Sequence, residues 1–578
     1  MSVQAPPRPE AVRATTSTRW NLVVLLAVTG AFAALAWTRR WVSDDGLIVT
    51  RTVRQLLAGD GPVFNAGERV EANTSTLWTY LLALVGAVVD VDLVRLSVWV
   101  GLVLSVVAVA VAVDASRRLH AGAPGSERLL PLGALVVLGL PPFWDFATSG
   151  LETGLVFAWL STAYWSLVVS SRAGAAGSRR GPLVAVLLGL GPLVRPELAV
   201  ASAVLLLALW WRRGAGLRAG VLLLAAGIAL PVAYQVFRMG YYGVLVPQTA
   251  IAKSAGAALW DRGLVYLLDL VAPYALVVPL VLVGAATVLL LARGARSRDR
   301  ADLVLVAAPL VVALVLATYV LRVGGDFMHA RMLLPPLLLV LLPVFVVPLS
   351  RLRLALVIGA AVWALVSAVA LRPDYASADP PLDLGSGIAD ERAFWASSVG
   401  EANPTTAAPF VASFHALATE VAEARPQGLV WRNRSAQLPV AEQLPWDVAV
   451  VTSIAGTGGS MTQLDEAVLD PLGLTYPLAA HIELGARDRP GHEKVLPDSW
   501  IAADAVQPGA ALFPDGPSPQ EVAAAREALG CGDLAEMQDS VRAPLTPERF
   551  VANLLGAPHR TSLTIPRDPA QAVAELCP

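Results

Sequence analysis

The feature that most constrains this chain is a series of uncharged apolar runs long enough to cross a bilayer. The first, Trp20–Thr38, carries no charge over about 19 residues, enough for a hydrocarbon core of ~30 Å at ~1.5 Å per residue. A secretory signal peptide would end at a small-x-small cleavage site and lead into a soluble chain. Here further apolar segments follow instead, at roughly 93–113, 129–142, 151–171, 182–194, 197–211, 217–237, 270–292, 303–321, 332–349 and 353–371. Composition agrees. The chain is 56% hydrophobic and 15% charged, against about 45–50% and about 25% in a typical soluble domain. The net charge of −2 accompanies basic residues dispersed among short loops, so no nucleic-acid partner is expected.

Those loops set the expected topology. Arg117, Arg118 and Arg128, then Arg172, Arg179 and Arg180, then Arg212, Arg213 and Arg218, then Arg293 to Arg300, then Arg351 and Arg353 alternate with loops of mixed character. The positive-inside rule puts these clusters and the Arg-bearing N-terminus in the cytoplasm. Parity then forbids Thr76–Val89 from spanning, since counting it would turn Arg117 and Arg118 outward. Its short apolar run before Asp90 and Asp92 reads as a juxtamembrane helix on the outer face. The expected fold is a polytopic α-helical membrane protein of about 11 spans, N-terminus inside and C-terminus outside. Residues 1–19 read as a disordered cytoplasmic tail. Residues 20–371 form the transmembrane domain, with a large first outer loop over 39–92.

After Leu371 the character changes. Residues 372–578 are rich in Pro, Gly, Asp and Glu, lack a spanning run and suffice for an independent extracytoplasmic domain. The run Trp446–Val451 reads as a buried strand. Pro519–Leu529 and Pro547–Leu555 read as helices opened by proline. An α/β or α+β module is expected. Both cysteines of the chain, Cys531 and Cys577, lie here, and outside a cell envelope the pairing of two such thiols is favoured over two free ones.

Chemistry is expected at the outer face, because the inner loops are short and simply basic. The first outer loop, in RRWVSDDGLIVTRTVRQLLAGDGPVFNAGERVEANTSTLW, carries Asp44 and Asp45 beside apolar Trp41, Val42, Leu47 and Ile48, along with Glu68 and Arg69. One Asp there is a solvated helix cap. Two adjacent acids near hydrocarbon, where the charged form is disfavoured, suit a general base or a metal site. Later outer loops add Asp145 and Glu152, Arg195 and Glu197, then Arg238, Tyr241, Tyr242, Gln248 and Lys253, then Arg322, Asp326, His329 and Arg331. Arg238, Lys253, Arg322, His329 and Arg331 are candidate phosphate ligands. For the cations the bland alternative is snorkelling to the interface, and for His329 a polar helix cap. The aromatics serve equally as an interfacial belt. A divalent cation, Mg²⁺ or Mn²⁺, held by Asp44, Asp45 and His329 is one arrangement, and arginines alone are the other. No nucleotide, haem or dinucleotide signature occurs. Gly458-Gly459-Ser460 lacks the lysine of a phosphate-binding loop.

The stretches WVSDDGLIVTRTVRQLLAGDGPVFNAGERVEANTSTLWTYLL, FWDFATSGLETGL, LVRPELA, PVAYQVFRMGYYGVLVPQTAIAK and GGDFMHARMLL resemble the actinobacterial terminal β-(1→2)-arabinofuranosyltransferases, the AftB family. In the outer domain GIADERAFW, DPLGLTYPLAAH and RPGHEKVLPDSWIAAD resemble it too, adding Asp470 and His481 as substrate-binding candidates. The resemblance implies a GT-C glycosyltransferase architecture and a lipid donor, decaprenyl-phosphoryl-arabinose. It also implies transfer of arabinofuranose to the 2-OH of arabinan ends in arabinogalactan and lipoarabinomannan, outside the plasma membrane of actinobacteria. The family's catalytic acidic pair falls on Asp44 and Asp45. A β-linked donor giving a β-linked product retains configuration, so a covalent carboxylate intermediate or a same-face attack is needed. Three rival readings are another GT-C enzyme such as a polyprenyl-phosphate-mannose mannosyltransferase, a lipid-linked-sugar transporter, and a glycan-binding scaffold. A transporter would carry ionisable groups at bilayer mid-depth, whereas here they cluster at outer helix ends.

Overall fold

The computed structural model describes all residues except 1–8, 173–179, 215, 255, 297–300, 372–386, 433–435, 486–488, 490 and 578. Arg179, Arg298 and Arg300 and the start of the expected outer domain at 372 therefore lie outside the described residues. Among those described, 7 helices are long and apolar enough to cross a membrane: Arg19–Thr38, Leu93–Leu119, Thr153–Ser170, Leu217–Tyr242, Val277–Gly294, Leu303–Arg322 and Arg351–Ala370. Each falls on an expected span. The other four expected spans are shorter or broken, and proline accounts for three of them. Pro141 and Pro142 divide 129–142 into Leu132–Gly139 and Pro141–Asp145. The Gly191-Pro192 step separates Gly181–Gly189 from Gly191–Val194. Pro335, Pro336 and Pro343 divide 332–349 into Arg331–Leu333, Leu334–Leu341 and Leu342–Val344. Each ring removes an N–H and crowds the preceding turn. The fourth, Ala199–Arg213, is one unbroken helix of 15 residues.

Two further departures from expectation concern helix limits. The first helix begins at Pro9, so residues 9–19 of the expected tail are helical, with Pro9 suited to the opening position. The segment expected at 270–292 begins at Val277, and a separate amphipathic helix, Trp260–Val271, precedes it. The expected juxtamembrane segment is a helix, Thr76–Gly86, of 11 residues, too short to span at ~1.5 Å per residue. Close helix packing in the bundle rests on small residues. A Cβ placed on Gly189 would lie 1.8 Å from the Gly227 carbonyl oxygen.

The C-terminal region is α/β. Its four-stranded sheet has the order Ala436–Leu438, Gly428–Trp431, Val448–Val451, Ala467–Leu469, with the first pair antiparallel and the others parallel. The central strands are apolar on both sides, as parallel strands covered on two faces require. One face, with Leu429, Trp431, Ala449 and Val451, packs on the region's own helices. The other, with Val430, Val450 and Val468, packs on Ile48, Phe64 and Ala72 of the first outer loop. The sheet is thereby seated directly on the segment that carries the acidic pair. The helix Pro519–Leu529 matches its expected limits, and Cys531 is paired with Cys577 at a Cα separation of 5.4 Å.

Candidate functional site

The acidic pair opens the helix Asp44–Ala58. Ser43 caps it by accepting from the Gly46 N–H, Asp44 and Asp45 fill the first turn, and Gly59 ends it at φ +99°. Acids in a first turn also meet the positive end of the helix dipole. Neighbours on a helix point about 100° apart, and here that angle separates the two acids. Asp44 turns into the sheet region, where it accepts from the Gly456 N–H at 3.1 Å, the Thr457 N–H at 2.7 Å and the Thr457 hydroxyl at 2.6 Å. Burial, with Asp45 beside it, pushes the Asp44 carboxyl up to about 6, against the pull of those hydrogen bonds. A Cβ on Gly456 would fall 1.9 Å from the Asp44 carbonyl oxygen, so the contact needs glycine. Seven residues on, Arg51 makes the same union, donating to the Gly459, Gln463 and Glu466 carbonyls.

Asp45 instead lines a cavity of about 750 Å³ between the bundle and the sheet region. The cavity wall brings together Glu152, Arg195, Glu197, Lys253, Asp326 and Arg331 from four separate outer loops. Arg331 is placed by the turn before it, where Gly324, Gly325 and Ala330 all take positive φ. Its Nε lies 2.8 Å from Asp326 Oδ2, and its Nη1 lies 4.0 Å from Asp45 Oδ2. Lys253 Nζ is 3.9 Å from Asp326 Oδ1. Burial alone would raise the Asp326 carboxyl, but Arg331 and Lys253 hold it below the usual range. Arg195 bridges Glu152 and Glu197. Burial opposes the charge on this guanidinium, and the two carboxylates keep its pKa raised nonetheless. Arg262, Glu493 and Lys494 also line the cavity, and Arg262 pairs with Glu493 at 2.6 Å. Sequence reasoning missed these three as site residues. The signal was present: Lys494 and Glu493 lie in RPGHEK, and Arg262 interrupts an amphipathic helix.

Other candidates are held elsewhere. Arg238 lies off the cavity wall and forks onto Glu71, at 2.5 and 3.1 Å, joining the span Leu217–Tyr242 to the first outer loop. Arg322 donates to the Gly256 carbonyl and also lies off the wall. His329 joins Asp269 at 2.5 Å and the Tyr274 hydroxyl at 3.2 Å, in a separate small recess with Asp145, which is paired to Arg39. Glu68 pairs with Arg542, and Arg69 donates to the Tyr241 and Ser540 carbonyls. The Tyr242 hydroxyl donates to the Pro62 carbonyl. Gln248 opens the short helix Gln248–Ala252, and among the described residues its buried Nε2 has no hydrogen-bond partner. Asp470 accepts from the Leu472 and Leu474 amides, and His481 meets the Leu563 carbonyl at 3.0 Å.

The three residues named for a metal do not fit one. Asp44 is committed to three protein donors and His329 to Asp269 and Tyr274, in a recess that Asp45 does not line. Among the described residues no group of three or more His, Cys, Asp or Glu could hold a metal ion.

Residues 406–575 match the family described as the AftB family C-terminal domain. The chain is 38% identical to the terminal beta-(1->2)-arabinofuranosyltransferase of Mycobacterium tuberculosis, over 95% of this chain and 96% of that protein. It is 36% identical to the protein of the same name from Corynebacterium glutamicum, over 92% of this chain and 84% of that one. Among solved structures it shares a TM-score of 0.42 and 13% identity with ArnT from Cupriavidus metallidurans bound to undecaprenyl phosphate, over 77% of this chain and 89% of that one.

Proposed function

Since the chain belongs to the terminal β-(1→2)-arabinofuranosyltransferase family and is a multi-pass membrane arabinofuranosyltransferase, we propose that the Asp45 cavity is where the sugar is transferred, from a decaprenyl-phosphoryl donor to the 2-OH of an arabinan end. One observation carries the assignment. Four of the cavity's carboxylates, Glu152, Glu197, Asp326 and Glu493, are each in a close ion pair, whereas the cation nearest Asp45 stands at 4.0 Å. A carboxylate already locked to a guanidinium is a weaker base and nucleophile than one held at a distance. Asp45 is therefore the reactive acid, and Asp44 seats its helix against the sheet region.

Lys253 and Arg331 then hold the donor phosphate and stabilise its charge as the anomeric C1–O bond breaks. Retention follows from two displacements. Asp45 attacks C1, and the phosphate leaves with the electron pair. The acceptor 2-oxygen next displaces the Asp45 ester, and its proton passes to the phosphate still held by the two cations. The outer loops, the cavity and the C-terminal domain face the cell-wall side, where a lipid donor and a polymeric acceptor meet. The reading takes support from the Arg clusters, which in sequence order follow the opposite ends of the spans.

The test is transfer from synthetic prenyl-phosphoryl-arabinose to an arabinose oligomer by the purified protein, with linkage and anomer read by NMR. A 2-fluoro donor carrying a better leaving group than the natural phosphate, so that the first displacement outruns the slowed second one, would leave a sugar-sized mass on the Asp45 peptide. A product lacking the β-(1→2) linkage would overturn the reaction. Retention with no adduct would overturn the covalent route and leave same-face attack.

A further inference from the structure

The helix Pro547–Ser562 of the C-terminal domain is the segment whose surface its own fold explains least. Its buried stripe, Asn553, Ala557 and Arg560, faces the top of the span Leu217–Tyr242. There the Asn553 amide donates to the Gly240 carbonyl, Arg560 Nε donates to the Gly243 carbonyl, and the Phe550 ring fills the space a Cβ on Gly240 would need. At about 100° per residue the remaining surface divides into two flanks of opposite character. One carries Arg549 and His559, which pair with Glu536 and Asp533 of the helix Gly532–Arg542. The other, beyond the Phe550 ring seated on Gly240, carries Leu554, Val551 and Leu555, with Val551 51% and Leu555 76% exposed and Glu548 at its edge. The polar flank is thus turned to the C-terminal domain and the apolar flank away from it.

The position along the span says what covers the apolar flank. Val236 lies one turn below Gly240 and about 40° round the helix, Val232 two turns below and about 80° round, and both are exposed apolar residues of a span that is little buried by protein. That surface faces lipid, and the helix crosses at its upper edge. An amphipathic helix with one charged flank and one flank of large apolar side chains lies in the plane of an interface.

We propose that Pro547–Ser562 is a membrane-docking helix, which places its apolar flank in the acyl boundary of the outer leaflet and so anchors the C-terminal domain to the bilayer. The anchor bears on the cavity. Thr561, Ser562, Leu563 and Thr564, where this helix ends, line the cavity wall, and the Thr561 hydroxyl accepts from the Leu245 N–H at 2.7 Å. The C-terminal domain's part of the wall is thereby fixed at the depth of a lipid headgroup. The inference rests on the span reading and not on the chemistry assigned to Asp45.

Both native cysteines are paired, so a single introduced cysteine labels selectively. Leu555→Cys, Val551→Cys and, as control on an exposed helix of the same domain, Gln520→Cys are labelled with an environment-sensitive fluorophore in nanodiscs containing spin-labelled phosphatidylcholine. Quenching at 551 and 555 at least about twofold stronger than at 520 is expected for an interfacial helix. Equal quenching at all three positions overturns the proposal. So does efficient disulfide cross-linking of Leu555→Cys between two protein molecules, which would assign the flank to a second copy. Both readouts hold whether or not the protein transfers arabinose.

Discussion

The division of labour between two adjacent acids is open to direct test. Asp44→Asn keeps the shape of the side chain but offers one acceptor atom where the carboxylate offers two. The Thr457 donors can keep that acceptor, so the Gly456 N–H then faces an amide NH₂. Loss of one charge-assisted hydrogen bond costs about 1.5–3 kcal/mol. Part is offset because a neutral amide is cheaper to bury than a carboxylate, here one whose pKa is pushed up to about 6. A net loss of about 1–2 kcal/mol lowers Tm by roughly 2–8 °C for a domain of this size. Asp45→Asn touches no such contact and leaves stability within about ±0.5 kcal/mol, as is usual away from packed contacts. It removes the attacking carboxylate, and kcat falls by about 10⁴–10⁶. Thermal unfolding and transfer kinetics on one nanodisc preparation give both numbers. Asp45→Asn with activity within about tenfold of the parent, beside an Asp44→Asn protein that is inactive yet fully stable, would refute the assignment.

Lys253→Met removes a phosphate contact worth about 1.5–3 kcal/mol, so KM for the lipid donor rises about 10-fold to 100-fold with a smaller change for the acceptor, as initial-rate kinetics would show. Gly456→Ala drives a methyl into the Asp44 carbonyl and costs about 1–3 kcal/mol, lowering Tm as Asp44→Asn does and raising protease sensitivity between the bundle and the C-terminal domain. Burial pushes Asp470 and Glu391 each up to about 7, so the unfolded chain releases those protons first. Stability therefore falls as pH rises from about 5 to 7, opposed in part by buried His481, lowered to about 4. Asp470→Asn should flatten that slope in a pH series of unfolding temperatures. Cys531→Ser with Cys577→Ser opens a loop with a sequence separation of 46, and by loop-closure entropy destabilises the C-terminal domain by about 4 kcal/mol, measurable as a lowered Tm.

Much of the frame was legible in the chain because it depends on local composition. Apolar runs without charge become helices, and Pro519 and Pro547 open helices where a proline ring is tolerated. The limits failed where an element is set by packing or by a second proline in an apolar run, as at 129–142 and 332–349. Of the outer-loop candidates, Asp45, Glu152, Arg195, Glu197, Lys253, Asp326 and Arg331 share one cavity wall. Arg238 and His329 carry the same residue types in the same loops, yet each is held by a partner remote in sequence, Glu71 and Asp269. No spacing rule reveals such a partner, because ion pairing depends on distance in space.

By itself, then, the sequence determined a helical bundle of membrane-spanning length, an adjacent pair of acids at its outer edge, a C-terminal module of mixed helix and strand and the set of outer-loop polar residues from which a site is drawn. Tertiary structure alone decided which of those residues meet. Asp44 and Asp45 are indistinguishable in type and adjacent in order, but one helical step turns them about 100° apart. Whether that step points an acid into a cavity or into the amides of Gly456 and Thr457 depends on where a sheet region some 400 residues later is docked.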